Sequence, residues 1–354
     1  MGRLARGSGR IHTRIVAGFA SFLFLATSSC VALFSLDDHQ ADGGGPDPDR
    51  DSGNGNDGGN PPQDGSDPGS DSGSDGSTRD TGTDAPPGCT GGITFRTPKR
   101  IDPVGSTTNQ YSARGKNNDI NSAYIATDIV DTAVDPGSHI WRGSRANATV
   151  EFGSMNRVGG GFGSTSTQRH GMVNAADDKI LYVQALSGGL EELIVGIREG
   201  ADGFKFNNRP WERSGNYSDT EVYFIQDGAL LFFATNRAGK FRIYQAQFNN
   251  SNNTGSDQKA VGGLGNPSAD DERAPVVSDD GTKIFFARKE GGQLRIKAAQ
   301  RGAISGNFAE MPLCGLDIAG ADQYPTWISK DGSLLFYIRV TGGQYQLWQA
   351  NRAP

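Results

Sequence analysis

Cysteine and histidine are scarce in this chain of 354 residues, and their scarcity removes several chemistries together. There are three cysteines, at 30, 89 and 314, and four histidines. No Cys-x-x-Cys spacing is present, so neither a structural nor a catalytic metal is expected. Beyond the N-terminal third only His139 and His170 remain. Neither has a Ser or Cys motif beside it, which argues against a Ser-His-Asp site. The stretch Gly159-Gly160-Gly161-Phe162-Gly163-Ser164 lacks the Gly-Lys-Ser/Thr of a phosphate loop and the pattern of a nucleophile elbow, so it reads as a flexible connection. Clusters of Lys and Arg are missing as well, and with them the counterion-releasing stripe that a nucleic-acid binder needs. No cofactor is implied.

What charge there is sits unevenly. The first 36 residues hold four arginines and no acid, and residues 37 to 88 hold 13 aspartates against two arginines. Set against a total of -6, four positive and eleven negative charges leave the remainder at +1. The apparent acidity therefore belongs to one segment.

Arg3, Arg6, Arg10 and Arg14 precede an uncharged apolar run from Ile15 to Ala26, followed by small residues. That is the layout of a secretory signal. Thr27-Ser28-Ser29-Cys30 resembles a bacterial lipobox, with Thr27 where Leu is usual, which implies lipidation of Cys30. Two other outcomes stay open: cleavage after Ser28, or an uncleaved anchor over residues 15 to 36, long enough to span a bilayer. Each exported route but the second-named tethers the chain to a membrane. Residues 37 to 88 are nearly all Asp, Gly, Ser, Asn and Pro. With so little to bury, this segment is expected to be a disordered linker. Asp47, Asp49 and Asp51 alternate like calcium ligands, but Ser52 stands where the loop needs Gly and no Glu closes it.

The strongest signal is self-similarity. Asp227-Gly228, Asp280-Gly281 and Asp331-Gly332 recur at spacings of 53 and 51 residues. Each leads into an apolar run, Leu230 to Phe233, Ile284 to Ala287 and Leu334 to Tyr337. After a second turn comes an alternating strand, Phe241 to Tyr244, Leu294 to Lys297 and Tyr345 to Trp348. Asp-Gly between such runs predicts tight hairpins, since Gly takes a positive φ at little cost. Two degenerate copies precede them, around Ile180 to Val183 with Leu193 to Val195, and around Ala123 to Ala126 with His139 to Trp141. A further strand with Phe near its start opens each unit at Phe95, Phe152, Phe204 and Phe308, with Gln258 to Val261 in that place in the fourth.

Ala274-Pro275 leading to Ser278-Asp279-Asp280-Gly281, and Pro325-Thr326-Trp327 leading to Ser329-Lys330-Asp331-Gly332, resemble the repeat of the TolB propeller family. The Ser and Asp-Gly are kept and the family's Pro is not. The resemblance covers residues 94 to 351, is good in the last three copies, and implies radial blades around a channel. Four strands per unit, five units and no helical periodicity predict an all-β fold, a five-bladed β-propeller of four-stranded blades spanning residues 89 to 354. The segment Thr94 to Ile101 should close the ring by completing the last blade.

On this layout Cys89 and Cys314 fall on opposite faces of the disc, which weighs against the disulfide that an oxidising compartment permits. Arg237, Arg288 and Arg339 recur at one position and are expected to serve structure between blades. Asp219, Glu221, Asp270, Asp271, Glu272 and Asp322 precede the innermost strands. Two of them about 5 to 9.5 Å apart would suit a glycoside hydrolase, whereas composition alone makes them solvated loop acids. The expected role is a non-catalytic cell-envelope lipoprotein binding a protein or glycan, at the outer membrane and facing periplasm or surface. The other reading is a glycoside hydrolase or lyase using channel-mouth carboxylates.

Overall fold

The computed structural model describes residues 89–354 except 97, 102–108, 117–118, 129–137, 160–166, 202, 213–214, 226–227, 266–270 and 318. The signal segment, Cys30, the linker, Asp227, Asp270 and most of the 159–164 glycine stretch thus lie outside the described residues. Two short strands come first, β1 (Ile93–Thr94) and β2 (Lys99–Arg100). The first blade follows as β3 (Gln110–Lys116), β4 (Asp119–Thr127), β5 (His139–Ser144) and β6 (Ser154–Arg157), and the second as β7 (Gln168–Val173), β8 (Lys179–Ala185), β9 (Glu191–Glu199) and β10 (Gly203–Asn208). The third comprises β11 (Asp219–Ile225), β12 (Leu230–Thr235), β13 (Arg242–Asn249) and β14 (Thr254–Ala260), and the fourth β15 (Glu272–Val277), β16 (Lys283–Glu290), β17 (Gln293–Gln300) and β18 (Ala309–Met311), with β19 (Leu313–Cys314) just beyond. The fifth holds β20 (Asp322–Ile328), β21 (Leu334–Thr341) and β22 (Gln344–Asn351), and β2 supplies its fourth strand, with Lys99 opposite Gln349 and Arg100 opposite Trp348. Five four-stranded antiparallel blades closed by the N-terminal strand are what the repeats predict. No sheet is left with a long open edge at the seam.

The strands form where they do for legible reasons. β12 is buried at every position, as a continuous apolar run covered on both faces should be. Its counterparts bury Phe285, Phe286, Phe336 and Tyr337 against the neighbouring sheets. At the Ser-x-Asp-Gly turns, Asp280 Oδ1 accepts from Ser278 Oγ at 2.6 Å, Thr282 N at 2.9 Å and Thr282 Oγ1 at 2.8 Å. Asp331 does the same with Ser329 and Ser333. Each Ser hydroxyl in turn accepts the N–H that opens the next strand, Lys283 or Leu334. Gly281 and Gly332 both sit at φ 69°, which the turn requires and a side chain resists. The missing Pro leaves this hydrogen-bonded knot intact.

Two periodic contacts escape the sequence reading. First, three outer segments are stapled to the blade before them: Phe204 N donates to Gly159 O, Phe308 N to Gly262 O and Phe95 N to Cys314 O. Second, an arginine ending the third strand lies over the phenylalanine of the outer strand, Arg145 over Phe152, Arg198 over Phe204 and Arg301 over Phe308, at 4.3–4.6 Å from the ring centres. Of the arginines expected to act between blades, Arg237 binds Asp219 at 3.0 Å within its own blade. Arg288 joins Glu272 and Glu310 of its blade and also donates to Leu264 O in the preceding connection.

Cys89 and Cys314 are disulfide-bonded, with Cα atoms 6.1 Å apart. The expectation of opposite faces fails because the chain does not enter directly as an outer strand. β1 first runs parallel to β19, Ile93 beside Leu313 and Thr94 beside Cys314, and a turn from Gly92 N to Cys89 O brings the first cysteine back alongside the second. The bond therefore reinforces the recurring staple between blades four and five.

Candidate functional site at the channel mouth

The innermost strands β3, β7, β11, β15 and β20 surround the channel, and each is interrupted by a register shift. Such a bulge puts two residues opposite one and re-aims their side chains. In three successive blades the bulge places a non-glycine residue in the left-handed region: His170 at φ 54°, Glu221 at φ 54° and Ala274 at φ 51°. Each costs roughly 1 kcal/mol or more. Strain repeated at equivalent points around a channel is the backbone signature of a site.

Side chains from all five blades meet there. Glu221 Oε1 stands 3.3 Å from Arg273 Nε, at an angle that makes a charge contact rather than a hydrogen bond, while Oε2 accepts from Ala274 N at 2.6 Å. Arg169 faces Glu191 at 3.7 Å and lies 4.6 Å over the Tyr111 ring, which packs 5.0 Å from Tyr345. Arg273 lies 4.1 Å over Phe241. Deeper, Arg114 is buried; it donates to Val222 O, approaches Met172 Sδ at 3.5 Å and lies 5.2 Å from the Tyr223 ring centre. Its floor of Met172, Tyr223 and Gly115 is also the wall of a cavity of about 70 Å³ at the far end of the channel.

Electrostatics confirms that these groups share one space. Burial, and then the charges of Arg114, Arg169 and Arg273 from three blades, hold His170 well below the usual imidazole range, so it is neutral. Burial raises Glu221, with Arg273 and the Ala274 N–H pulling it back and Glu191 adding to the rise. Burial pushes Arg114 down to about 10, leaving it cationic at neutral pH. Tyr324 is pushed well above its ordinary value, first by burial.

Of the five described acids singled out in the sequence, only Glu221 belongs to this mouth. Asp219 accepts from Trp211 Nε1 at 2.8 Å and pairs with Arg237. Glu272 is held by Arg288 at 3.1 Å and Arg242 at 3.6 Å. Asp271 accepts from Phe241 N at 3.0 Å and Asp322 from Leu294 N at 2.8 Å. Ser218 and Asn109 occupy the same place in their blades, accepting from Glu191 N and Tyr345 N. This is a clamp from the head of one inner strand to the third strand of the blade before it, and it explains why an oxygen-bearing residue recurs there. Four of the acids are thus neither solvated nor catalytic in placement. The residues that sequence reasoning missed, Arg114, Arg169, Glu191 and Arg273, share no motif; the last three stand at or next to the start of an inner or third strand, and Arg114 lies four residues into β3.

Among the described residues no group of His, Cys, Asp and Glu stands together as a metal site would require. No family model matches the chain, and no curated protein does. Among solved structures it is similar to a putative TolB from Agrobacterium tumefaciens, at 12% identity over 70% of this chain and 79% of that one, with a TM-score of 0.45. It is also similar to a GH43_1 enzyme from Xanthomonas citri complexed with xylotriose, at 15% identity over 71% and 88% with a TM-score of 0.49, and to the arabinanase Arb43A of Bacillus subtilis, at 12% over 73% and 92% with 0.43. Proteins on one such architecture differ in activity. What this mouth does is read from its own residues.

Proposed function

We propose that the chain is an exported, membrane-tethered binding module without catalytic activity, presenting the channel mouth to a protein or glycan of the bacterial cell envelope. The N-terminal pattern of Arg3 to Cys30 supports export and tethering, through a lipid on Cys30 or an anchor over residues 15 to 36. The observation that carries the binding role is that both carboxylates of the mouth are committed, Glu191 to Arg169 and Glu221 to Arg273 and the Ala274 N–H. A glycosidase needs one acid that keeps a proton and one carboxylate free to attack or activate water. Here a proton donor would first have to give up two partners. The aromatic rings of Tyr111, Phe241, Tyr324 and Tyr345 around the mouth suit recognition instead.

The second reading, a glycoside hydrolase or lyase, has one observation in its favour: Glu221 is buried with a raised pKa, as a general acid would be. The purified full chain separates the two when incubated with arabinan, xylan and peptidoglycan sacculi. The expected result is co-sedimentation with an insoluble polymer that Tyr345→Ala weakens and Lys330→Ala, on the opposite face, does not, with no release of reducing ends. Release that Glu221→Gln abolishes would replace binding with catalysis.

A further inference from the structure

Arg114 poses a physical problem that its own blade does not solve. The guanidinium is 2% exposed, makes no ion pair among the described residues, and its Nε has no hydrogen-bond partner. A buried charge left this way is strongly unfavourable unless something completes it. Arg169 Nε, from the second blade, likewise has no hydrogen-bond partner, and Arg273 Nε, from the fourth, has only its charge contact with Glu221 Oε1 at 3.3 Å. Arg114 donates to Val222 O next to Glu221, which faces Arg273, and Arg169 lies over Tyr111 of the strand that carries Arg114, so the three arginines converge on one region of the channel, where they also depress the pKa of His170. Only Glu191 and Glu221 answer them there. Asp128 and Asp271 stand at the rim and already accept N–H groups, from Asn109 and Phe241. Arg169 and Arg273 thus each have a carboxylate opposite them, and among the described residues Arg114 alone of the three has none.

We propose that the mouth binds a ligand through a single carboxylate, seated among Arg114, Arg169 and Arg273 with Tyr111, Tyr324 and Tyr345 around it. This rests on the binding-module reading and names the chemistry of its ligand. One carboxylate would give Arg114 the ion pair that it lacks. Planar carboxylate also matches the fork of a guanidinium, and the charge-assisted hydrogen bonds it accepts are the strong kind. The Nε atoms of Arg114 and Arg169 are donors that such a group would satisfy. The aromatic side chains beside them cover the rest of the ligand.

The test is calorimetric titration and thermal melting of the purified full chain with four probes: galacturonic acid, N-acetylalanine, neutral galactose and inorganic phosphate. Binding of either carboxylate, with galactose and phosphate silent, supports the proposal; which of the two binds tells whether the carboxylate comes from a sugar acid or a peptide terminus. Arg114→Met should then weaken that binding at least tenfold while raising the melting temperature of the ligand-free protein, because it removes a charge kept unpaired for the ligand. A structural Arg114 would give the opposite sign, a lower melting temperature, and overturn the assignment. Arg169→Gln, at the half-exposed mouth, repeats the binding test should the deeper variant fail to fold. Binding of phosphate alone, or of no anion, overturns the carboxylate. If the insoluble polymers above still bind under those conditions, the binding module stands and only its ligand chemistry falls.

Discussion

At the turn face, Asp280 and Asp331 each gather two hydroxyls and a main-chain N–H around one oxygen, and the Ser hydroxyls pass the bonding on to the next strand. At the mouth, Arg114 and Arg169 each keep a buried Nε without a hydrogen-bond partner, and three bulges hold residues at positive φ. The turn is the same in blades four and five; the mouth has a different residue in each blade. Repetition here marks the framework, where the hydroxyls and carboxylate oxygens of the turn satisfy one another, and departure from it marks the place where local rules are broken and a partner is awaited.

The comparison can be broken in several ways. The largest effect is expected in the framework's apolar layer. Phe336, fully buried and packed on Trp327, Phe152 and Arg145, should cost about 3–5 kcal/mol as Phe336→Ala in urea unfolding. Next comes the seam. Cys314→Ser opens a disulfide that spans 225 residues and should lower stability by about 2–5 kcal/mol, measured by the same denaturation without reductant. An unchanged midpoint would mean that β2 alone closes the ring. Asp331→Ala leaves Ser329 and Ser333 without their shared acceptor, and about 1–2 kcal/mol should be lost. A mouth that is strained rather than supporting predicts the reverse there: Glu221→Gln should be as stable as the native chain or more so at pH 7.

The smallest effect is the most diagnostic, because the two ends respond to pH with opposite signs. Hydrogen bonds lower the pKa of Asp280 and Asp331 from 3.8 despite some burial. Their stabilisation is present above that value and is lost as pH falls through the folded one. Glu221 is raised above 4.5, so its contribution is present below that value and is lost as pH rises through the folded one. The stability gained by Glu221→Gln should therefore be greater at pH 7 than at pH 4, whereas the loss from Asp331→Asn should shrink toward pH 3. Urea midpoints across that range would show both trends, and parallel trends would erase the distinction between the ends.

The framework was legible in the sequence for a physical reason. A hairpin needs Asp-Gly at a fixed place, and a buried second strand needs an unbroken apolar run, so Asp280-Gly281 with Ile284 to Ala287 announces itself each time it returns. Ring closure followed from counting strands. The disulfide was misjudged because β1, two residues long, diverts the chain alongside β19, and nothing in Ile93-Thr94 signals a parallel pair. The mouth was hardest to read. Asp219, Asp271, Glu272 and Asp322 look like Glu221 in the sequence, yet four serve clamps and ion pairs; which acid enters the channel is decided by a bulge. Arg114 carries no mark at all, being one arginine among many until four other blades close around it.

The bond between Cys89 and Cys314 also fixes how the domain bears mechanical load. A pull along the chain from the residues before Cys89 to those after Cys314 passes through sulfur rather than through the 224 residues between them, since that stretch is a covalently closed loop. Blades one to four cannot be drawn out by such a force, and neither β1 nor β2 can be peeled away from its own flank. Only the three strands from Asp322 to Asn351 lie on the loaded path. Arg114, Arg169 and Arg273 thus stand inside the closed loop, and of the mouth's residues only Tyr324 and Tyr345 lie where tension on the ends reaches.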